Sequence, residues 1–243
     1  MELTGAEYIV ECLKAEGVKH IFGVSGSPLL PLLDVIYRTP QIRYIQSQNE
    51  QGAMYMANGY ARATRNTSVC LVSPGGGITN SVSGAAQALA TATPTLVIAT
   101  EEISRLEGMG ISLAHSLDTQ ALMKPVTKLA MRVEPAERIG ESLRTGFRVT
   151  RAGRRGPVYL GIPRDVLGKK AQASLFSPEQ YRTGGRIRGD ARDINKAAEL
   201  LAAAHRPMIL ADDAVYWDNA QELLLELAEL MGMPVVGTEN NKG

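Results

Sequence analysis

Apolar residues recur along this chain in two alternating rhythms, a three-to-four-residue spacing and short continuous runs, separated by Gly and Pro breaks. That alternation predicts helices covering a parallel sheet, so the fold class is α/β with a parallel sheet flanked by helices. Thr4 and Glu7 have capping-box spacing ahead of an apolar stripe of Ile9, Cys12 and Leu13, and Gly17 is a plausible stop, which predicts a helix over 4–16. A strand over 20–24 follows. The loop Ser25-Gly26-Ser27-Pro28 leads into a helix through Leu30, Leu33 and Ile36, and a buried strand over 42–46 precedes the helix that carries Glu50. The strand over 69–72 ends at Ser73-Pro74-Gly75-Gly76-Gly77-Ile78-Thr79-Asn80, a turn whose glycines let backbone approach a ligand, and a helix of small residues is expected over 81–90. A strand over 95–99, a long polar loop over 100–117, a strand over 126–131, a helix from Pro135 with Ile139, Leu143 and Phe147 on one face, and a strand over 157–162 complete the pattern.

One layered domain is therefore expected to close near residue 165. Residues 166–190 mix Gly, Ser, Pro, Lys and Arg without periodicity and read as a linker. A second unit over 191–243 shows helix 191–204, strand 207–211, helix 220–231 and strand 234–237, a partial second α/β domain. Two strands and two helices bury too little to stand alone.

Composition narrows the function. Lys and Arg number 26 against 25 Asp and Glu in 243 residues, with no basic block, which removes the electrostatic footprint of a nucleic-acid binder and favours small-molecule chemistry. Cys12 and Cys70 form no Cys-x-x-Cys pair and sit in apolar strings, so both are read as core. No signal-peptide pattern and no membrane-length apolar run is present, and a cytoplasmic protein without a membrane partner is expected. A Gly-x-x-x-x-Gly-Lys loop, a His-Glu-x-x-His pair and a clean Gly-x-Gly-x-x-Gly are all missing. His20, His115 and His205 lack metal-ligand spacing, and no metal site is assigned; His115 alone draws interest, because it lies in the long loop.

The ordered segments Gly23-Val24-Ser25-Gly26-Ser27, Asn49-Glu50-Gln51-Gly52-Ala53, Ala57-Asn58-Gly59-Tyr60-Ala61-Arg62, Gly75-Gly76-Gly77-Ile78-Thr79-Asn80, Lys124-Pro125-Val126-Thr127-Lys128 and Gly156-Pro157-Val158-Tyr159-Leu160-Gly161-Ile162-Pro163-Arg164-Asp165 carry a resemblance. Together they resemble the amino-terminal pyrimidine-binding domain of thiamine-diphosphate enzymes of the acetolactate synthase type. From about residue 191 the chain resembles the beginning of that family's central domain, through Pro234-Val235 to Lys242-Gly243.

The resemblance implies that Glu50 is catalytic: in the family this glutamate hydrogen-bonds a ring nitrogen of the cofactor's aminopyrimidine and favours the imino tautomer that removes the thiazolium C2 proton. It also implies cofactor contacts at Gly26, Ser27, Gly77 and Asn80, and substrate contacts at Ser73 and His115. Locally, Ser47-Gln48-Asn49-Glu50 also fits a capping box, in which Glu50 would only satisfy a free backbone N–H.

Relatives commonly have Pro at Ser25, His at Asn49 and Gly-Pro-Gly at Gly75-Gly76-Gly77, and some 2-oxoacid decarboxylases carry a histidine near Ser73. A carboligase or lyase of 2-oxo acids is thus implied ahead of a decarboxylase, with a 2-hydroxyacyl-CoA lyase and a silent assembly subunit on the same fold as alternatives. The family holds diphosphate and Mg²⁺ in a separate domain through Gly-Asp-Gly and a later Asn-Asn. Gly189-Asp190 and Asn240-Asn241 are not such a pair, so the chain is read as a fragment of a homodimeric or homotetrameric enzyme. Flavin or another nucleotide in the central domain is left open.

Overall fold

A computed structural model describes residues 1–106, 109, 115–182 and 188–239. The chain forms two compact units, Met1–Arg182 and Thr183–Gly243.

The first unit opens with β1 (Glu2–Thr4), α1 (Gly5–Ala15) and β2 (His20–Gly23). It continues through α2 (Leu30–Tyr37), β3 (Arg43–Gln46), α3 (Glu50–Thr64), β4 (Ser68–Val72), α4 (Gly76–Ala90) and β5 (Thr95–Glu101). The remaining elements are α5 (Thr119–Met123), β6 (Leu129–Arg132), α6 (Ile139–Arg151), β7 (Val158–Pro163) and β8 (Lys170–Gln172). Thr4 and Glu7 form the expected capping box at the start of α1.

Six strands pair in the order β3-β2-β4-β5-β7-β6, every pair parallel. Side chains of a strand alternate between the two faces, and the core divides accordingly. Ile21, Val69, Leu71, Leu96, Ile98, Val158 and Leu160 pack with α1 and α6 residues such as Ile9, Leu13, Leu143 and Phe147. Phe22, Cys70, Val72, Val97, Ala99 and Tyr159 pack on the other face with Ala53, Met54 and Ala57 of α3 and Ile78 and Ala85 of α4. Burial of both faces explains why these strands read as continuous apolar runs. Cys12 and Cys70 are both buried, one in each layer.

The helices α3 and α4 meet through small residues. A Cβ on Gly84 would overlap the Met54 side chain, and Asn58 donates from Nδ2 to the Gly84 carbonyl at 3.0 Å. Thr95 completes this buried contact, donating from Oγ1 to Asn58 Oδ1 at 3.0 Å.

Three boundaries differ from the sequence expectations. The helix expected from Ser81 already starts at Gly76, because the glycine turn is confined to Gly75 at φ 67°. The strand expected from Val126 begins at Leu129: Pro125 sits in a 3₁₀ turn over Lys124–Val126, and Thr127 turns its hydroxyl to the Met123 carbonyl. Residues 166–182, expected within a linker, fold back on the first unit. There β8 pairs antiparallel with β1, and the Tyr8 hydroxyl both donates to the Ser174 carbonyl and accepts from its N–H. An irregular, polar stretch is thus held by partners that only the fold supplies.

The second unit contains α7 (Ala191–Ala203), β9 (Ile209–Ala211), α8 (Asp213–Trp217), α9 (Gln221–Met231) and β10 (Val235–Gly237), with β9 and β10 parallel. Its described surface exposes Leu200, Leu210, Leu223, Leu225 and Leu230, apolar area characteristic of an incompletely covered layer. Asn240, Asn241, Lys242 and Gly243 lie outside the described residues. Among the described residues no helix is long and apolar enough to cross a membrane.

Candidate active site

In an open parallel sheet, ligands bind beyond the carboxyl ends of the strands where the connections change direction. Here β2 connects outward to β3 and the chain then returns to β4 on the other side of β2, so that point lies between β2 and β4. The segments leaving these two strands approach closely. Gly26, after β2, is near enough to Ser73, after β4, that a Cβ on the glycine would sit 2.5 Å from Ser73 Oγ. Ser27 follows as the first residue of a 3₁₀ turn, with an exposed side chain.

Glu50 enters from β3. The first residue of α3, it has Asn49 as its N-cap, the Asn49 side chain accepting from Gln51 N–H at 2.7 Å. The local alternative, a Ser47–Glu50 capping box, does not form: Ser47 Oγ instead donates to the Asn49 carbonyl at 2.9 Å. Released from capping, the Glu50 carboxylate reaches α4, where Asn80 donates from Nδ2 to Oε2 at 3.1 Å. Gly77 lies beneath it: a Cβ there would be 3.1 Å from Glu50 Oε1 and 3.2 Å from Ser73 Cβ. Gly26, Ser73, Gly77, Glu50 and Asn80 thus form one continuous cluster. Among the described residues Oε1 takes no hydrogen bond, leaving an acceptor directed over a surface free of side chain at Gly77.

His115 makes no described hydrogen bond or ion pair with this cluster. It lines a cavity of about 390 Å³ beyond β5 and β6 together with Glu101, Glu102, Asp118, Gln120 and Arg132. Its Nδ1 is 3.8 Å from Glu102 Oε2, while Arg164 pairs with the other Glu102 oxygen at 2.9 Å.

Sequence reasoning missed the polar centre beside it. Glu101, 3% exposed, accepts from the Thr119 hydroxyl, from Gln120 Nε2 at 3.2 Å, from the Tyr159 hydroxyl at 2.9 Å and from Arg132 Nη1 at 2.7 Å. Burial, with the Glu101 charge next in weight, holds the Tyr159 phenol well above its ordinary range. Gly161 is required because any Cβ would overlap the Glu101 carboxylate. The available signal was an acidic pair, Glu101-Glu102, ending an otherwise apolar strand.

A thiamine cofactor's aminopyrimidine is flat and offers ring nitrogens, and the Glu50 cluster fits that half: a free carboxylate oxygen beside a bare glycine. No described group of three or more His, Cys, Asp or Glu residues is arranged to hold a metal ion.

Two family models match parts of the chain. Residues 3–125 match the family model for the thiamine pyrophosphate enzyme, N-terminal TPP binding domain, and residues 194–243 match that for the thiamine pyrophosphate enzyme, central domain. A probable acetolactate synthase large subunit of Methanocaldococcus jannaschii is 35% identical over 245 residues, 99% of this chain and 41% of that protein. An acetolactate synthase of Mycobacterium bovis is 33% identical over 246 residues, 100% of this chain and 39% of that protein. This chain thus spans about two-fifths of the length of these relatives. Among solved structures, a thiamine diphosphate-dependent 4-hydroxybenzoylformate decarboxylase of Rhodococcus jostii RHA1 superposes with a TM-score of 0.86 at 25% identity, covering 97% of this chain and 44% of that one. With its amino-terminal and central segments both matched, the chain belongs to the thiamine pyrophosphate enzyme family.

Proposed function

We propose that this chain forms the cofactor-activating part of an acetolactate synthase-like carboligase that acts on 2-oxo acids. The observation that carries the reading is the Glu50 carboxylate, fixed through Oε2 by Asn80 and open at Oε1 above Gly77. When bound, thiamine diphosphate supplies a nucleophilic carbon and an electron sink for cleavage beside a carbonyl.

Glu50 Oε1 would share a proton with a ring nitrogen of the pyrimidine, and Asn80, donating to Oε2, would keep the carboxylate from rotating away. Gly77 and Gly26 keep the approach to that oxygen clear of side chains, Ser27 borders it, and Ser73 and His115 contact the substrate. No described group of three or more His, Cys, Asp or Glu residues is arranged to hold Mg²⁺, and we assign the diphosphate with its Mg²⁺ to another domain of the enzyme. That division of labour favours a homodimer or homotetramer in the cytoplasm. We propose no flavin or nucleotide role for the second unit.

A 2-oxoacid decarboxylase is the second reading, favoured by the structural similarity to the Rhodococcus decarboxylase. Product analysis separates the two. An enzyme carrying this chain together with a diphosphate-binding domain, supplied with pyruvate, thiamine diphosphate and Mg²⁺, is expected to form acetolactate. Carbon dioxide released with stoichiometric acetaldehyde would establish the decarboxylase, and no conversion of any 2-oxo acid would remove both.

A further inference from the structure

At the amino-terminal edge of the sheet, opposite Glu50, a second polar cavity of about 440 Å³ opens beneath the start of β2. Glu16, Lys19, His20, Phe147, Arg151 and Arg182 line it. Three of these are permanent cations and one is an acid, an excess absent from a chain whose net charge is only +1. Lys19 and Arg151 have no ion-pair partner among the described residues.

The side chain of Glu16 is 4% exposed and pairs through Oε2 with Arg182 Nη2, whose guanidinium also lies 5.9 Å from the Phe147 ring centre. Two polar atoms of this pair, Glu16 Oε1 and Arg182 Nε, are buried without a hydrogen bond among the described residues. An orphaned buried donor or acceptor is costly and is rare without a missing partner. Cations often gather at helix carboxyl ends for structural reasons, and this accounts for Arg151 in the last turn of α6. It does not account for the unpaired Arg182 Nε–H, a donor that an anion can satisfy.

We propose that this cavity is an oxyanion site that takes a phosphate group, either inorganic phosphate or the phosphate of a small phosphomonoester. Its oxygens accept from Lys19, Arg151 and Arg182, with a modest turn of the Arg182 side chain bringing Nε–H to the ligand. Tetrahedral oxyanions suit such convergent cationic donors. Burial pushes the Glu16 carboxyl up to about 8, opposed by Arg151, which disfavours the negative charge that would repel an anion. The site is separate from the Glu50 cluster and stands whether or not the proposed reaction is correct.

The test uses an enzyme carrying this chain with a diphosphate-binding domain, deuterated and ¹⁵N-labelled, and titrated at constant ionic strength with inorganic phosphate, with glycerol phosphate and with sodium chloride as control. Saturable shifts of the Glu16–His20 amides and the Arg182 Nε–H are expected from one or both phosphates, and the tighter of the two identifies the source. The variants Lys19→Gln and Arg151→Gln, combined, should weaken binding by at least about tenfold, the equivalent of one charge-assisted contact, with an otherwise unchanged spectrum. Equal shifts with chloride, no shifts with either phosphate, or undiminished binding in the double variant would overturn the site.

Discussion

Asn80 and Glu50, on different helices and far apart in sequence, meet through a 3.1 Å hydrogen bond from Nδ2 to Oε2 at the carboxyl edge of the sheet. The contact depends on the small-residue packing of α3 against α4, and it converts a helix-initiating glutamate into a carboxylate with one fixed and one free oxygen. Removing the donor leaves Glu50 able to swing. In the cofactor-loaded enzyme, Asn80→Ala is expected to reduce turnover about tenfold, about 1.4 kcal/mol of lost positioning, with little change in thermal midpoint. Steady-state kinetics beside a melting curve checks this.

Gly77 makes a separate prediction. A methyl group at 3.1 Å from Glu50 Oε1 and 3.2 Å from Ser73 Cβ is tighter than ordinary contact, so the neighbours must give way. Gly77→Ala should weaken cofactor binding more than it lowers stability. Calorimetric titration with thiamine diphosphate in the complete enzyme reads the affinity, and unchanged binding would show that the space above Gly77 is not used.

Between the two helices the demand for glycine is structural. A Cβ on Gly84 overlaps the Met54 side chain in a fully buried layer. Overpacking of this kind costs about 1–3 kcal/mol. Gly84→Ala should therefore lower the unfolding midpoint of the first unit, and pairing it with Met54→Ala should recover part of the loss.

The amino-terminal capping box gives a pH signature. Hydrogen bonds from the Thr4 backbone N–H and then its hydroxyl hold the Glu7 carboxyl below its ordinary value of 4.5. A depressed folded-state value means that the ionised form stabilises the fold above the unfolded value, and that this contribution is lost as pH falls through the folded value. The stability difference between the native chain and Thr4→Val should be constant near neutrality and shrink below about pH 4.5. Urea midpoints measured across that range test it, and a difference that grows on acidification would contradict the assignment.

Much of the first unit was legible in the chain. The two-faced burial of β4, β5 and β7 produces apolar runs such as Val69–Val72 that a parallel sheet requires, and Thr4 with Glu7 marked a helix start that the structure keeps. The fold-back over 166–182 was not legible, because its stabilising partners, Tyr8 and β1, lie at the other end of the sequence. At the candidate site, local sequence offered Glu50 two roles. Asn49 decided between them by taking the cap, a competition that spacing alone does not resolve. His115 was marked by its loop, yet its neighbours Glu101, Glu102 and Arg132 come from strand ends that only the sheet order brings together.

The central claim concerns the proton on Glu50, and Glu50→Gln isolates it, since glutamine keeps the size and an amide oxygen for Asn80 but cannot share a carboxylic proton. The decisive measurement is the rate of hydrogen–deuterium exchange at C2 of bound thiamine diphosphate, made in an enzyme carrying this chain with a diphosphate-binding domain. The account predicts a fall of about 10²-fold or more with the protein still folded and cofactor still bound. Exchange within about twofold of the unsubstituted enzyme would contradict it.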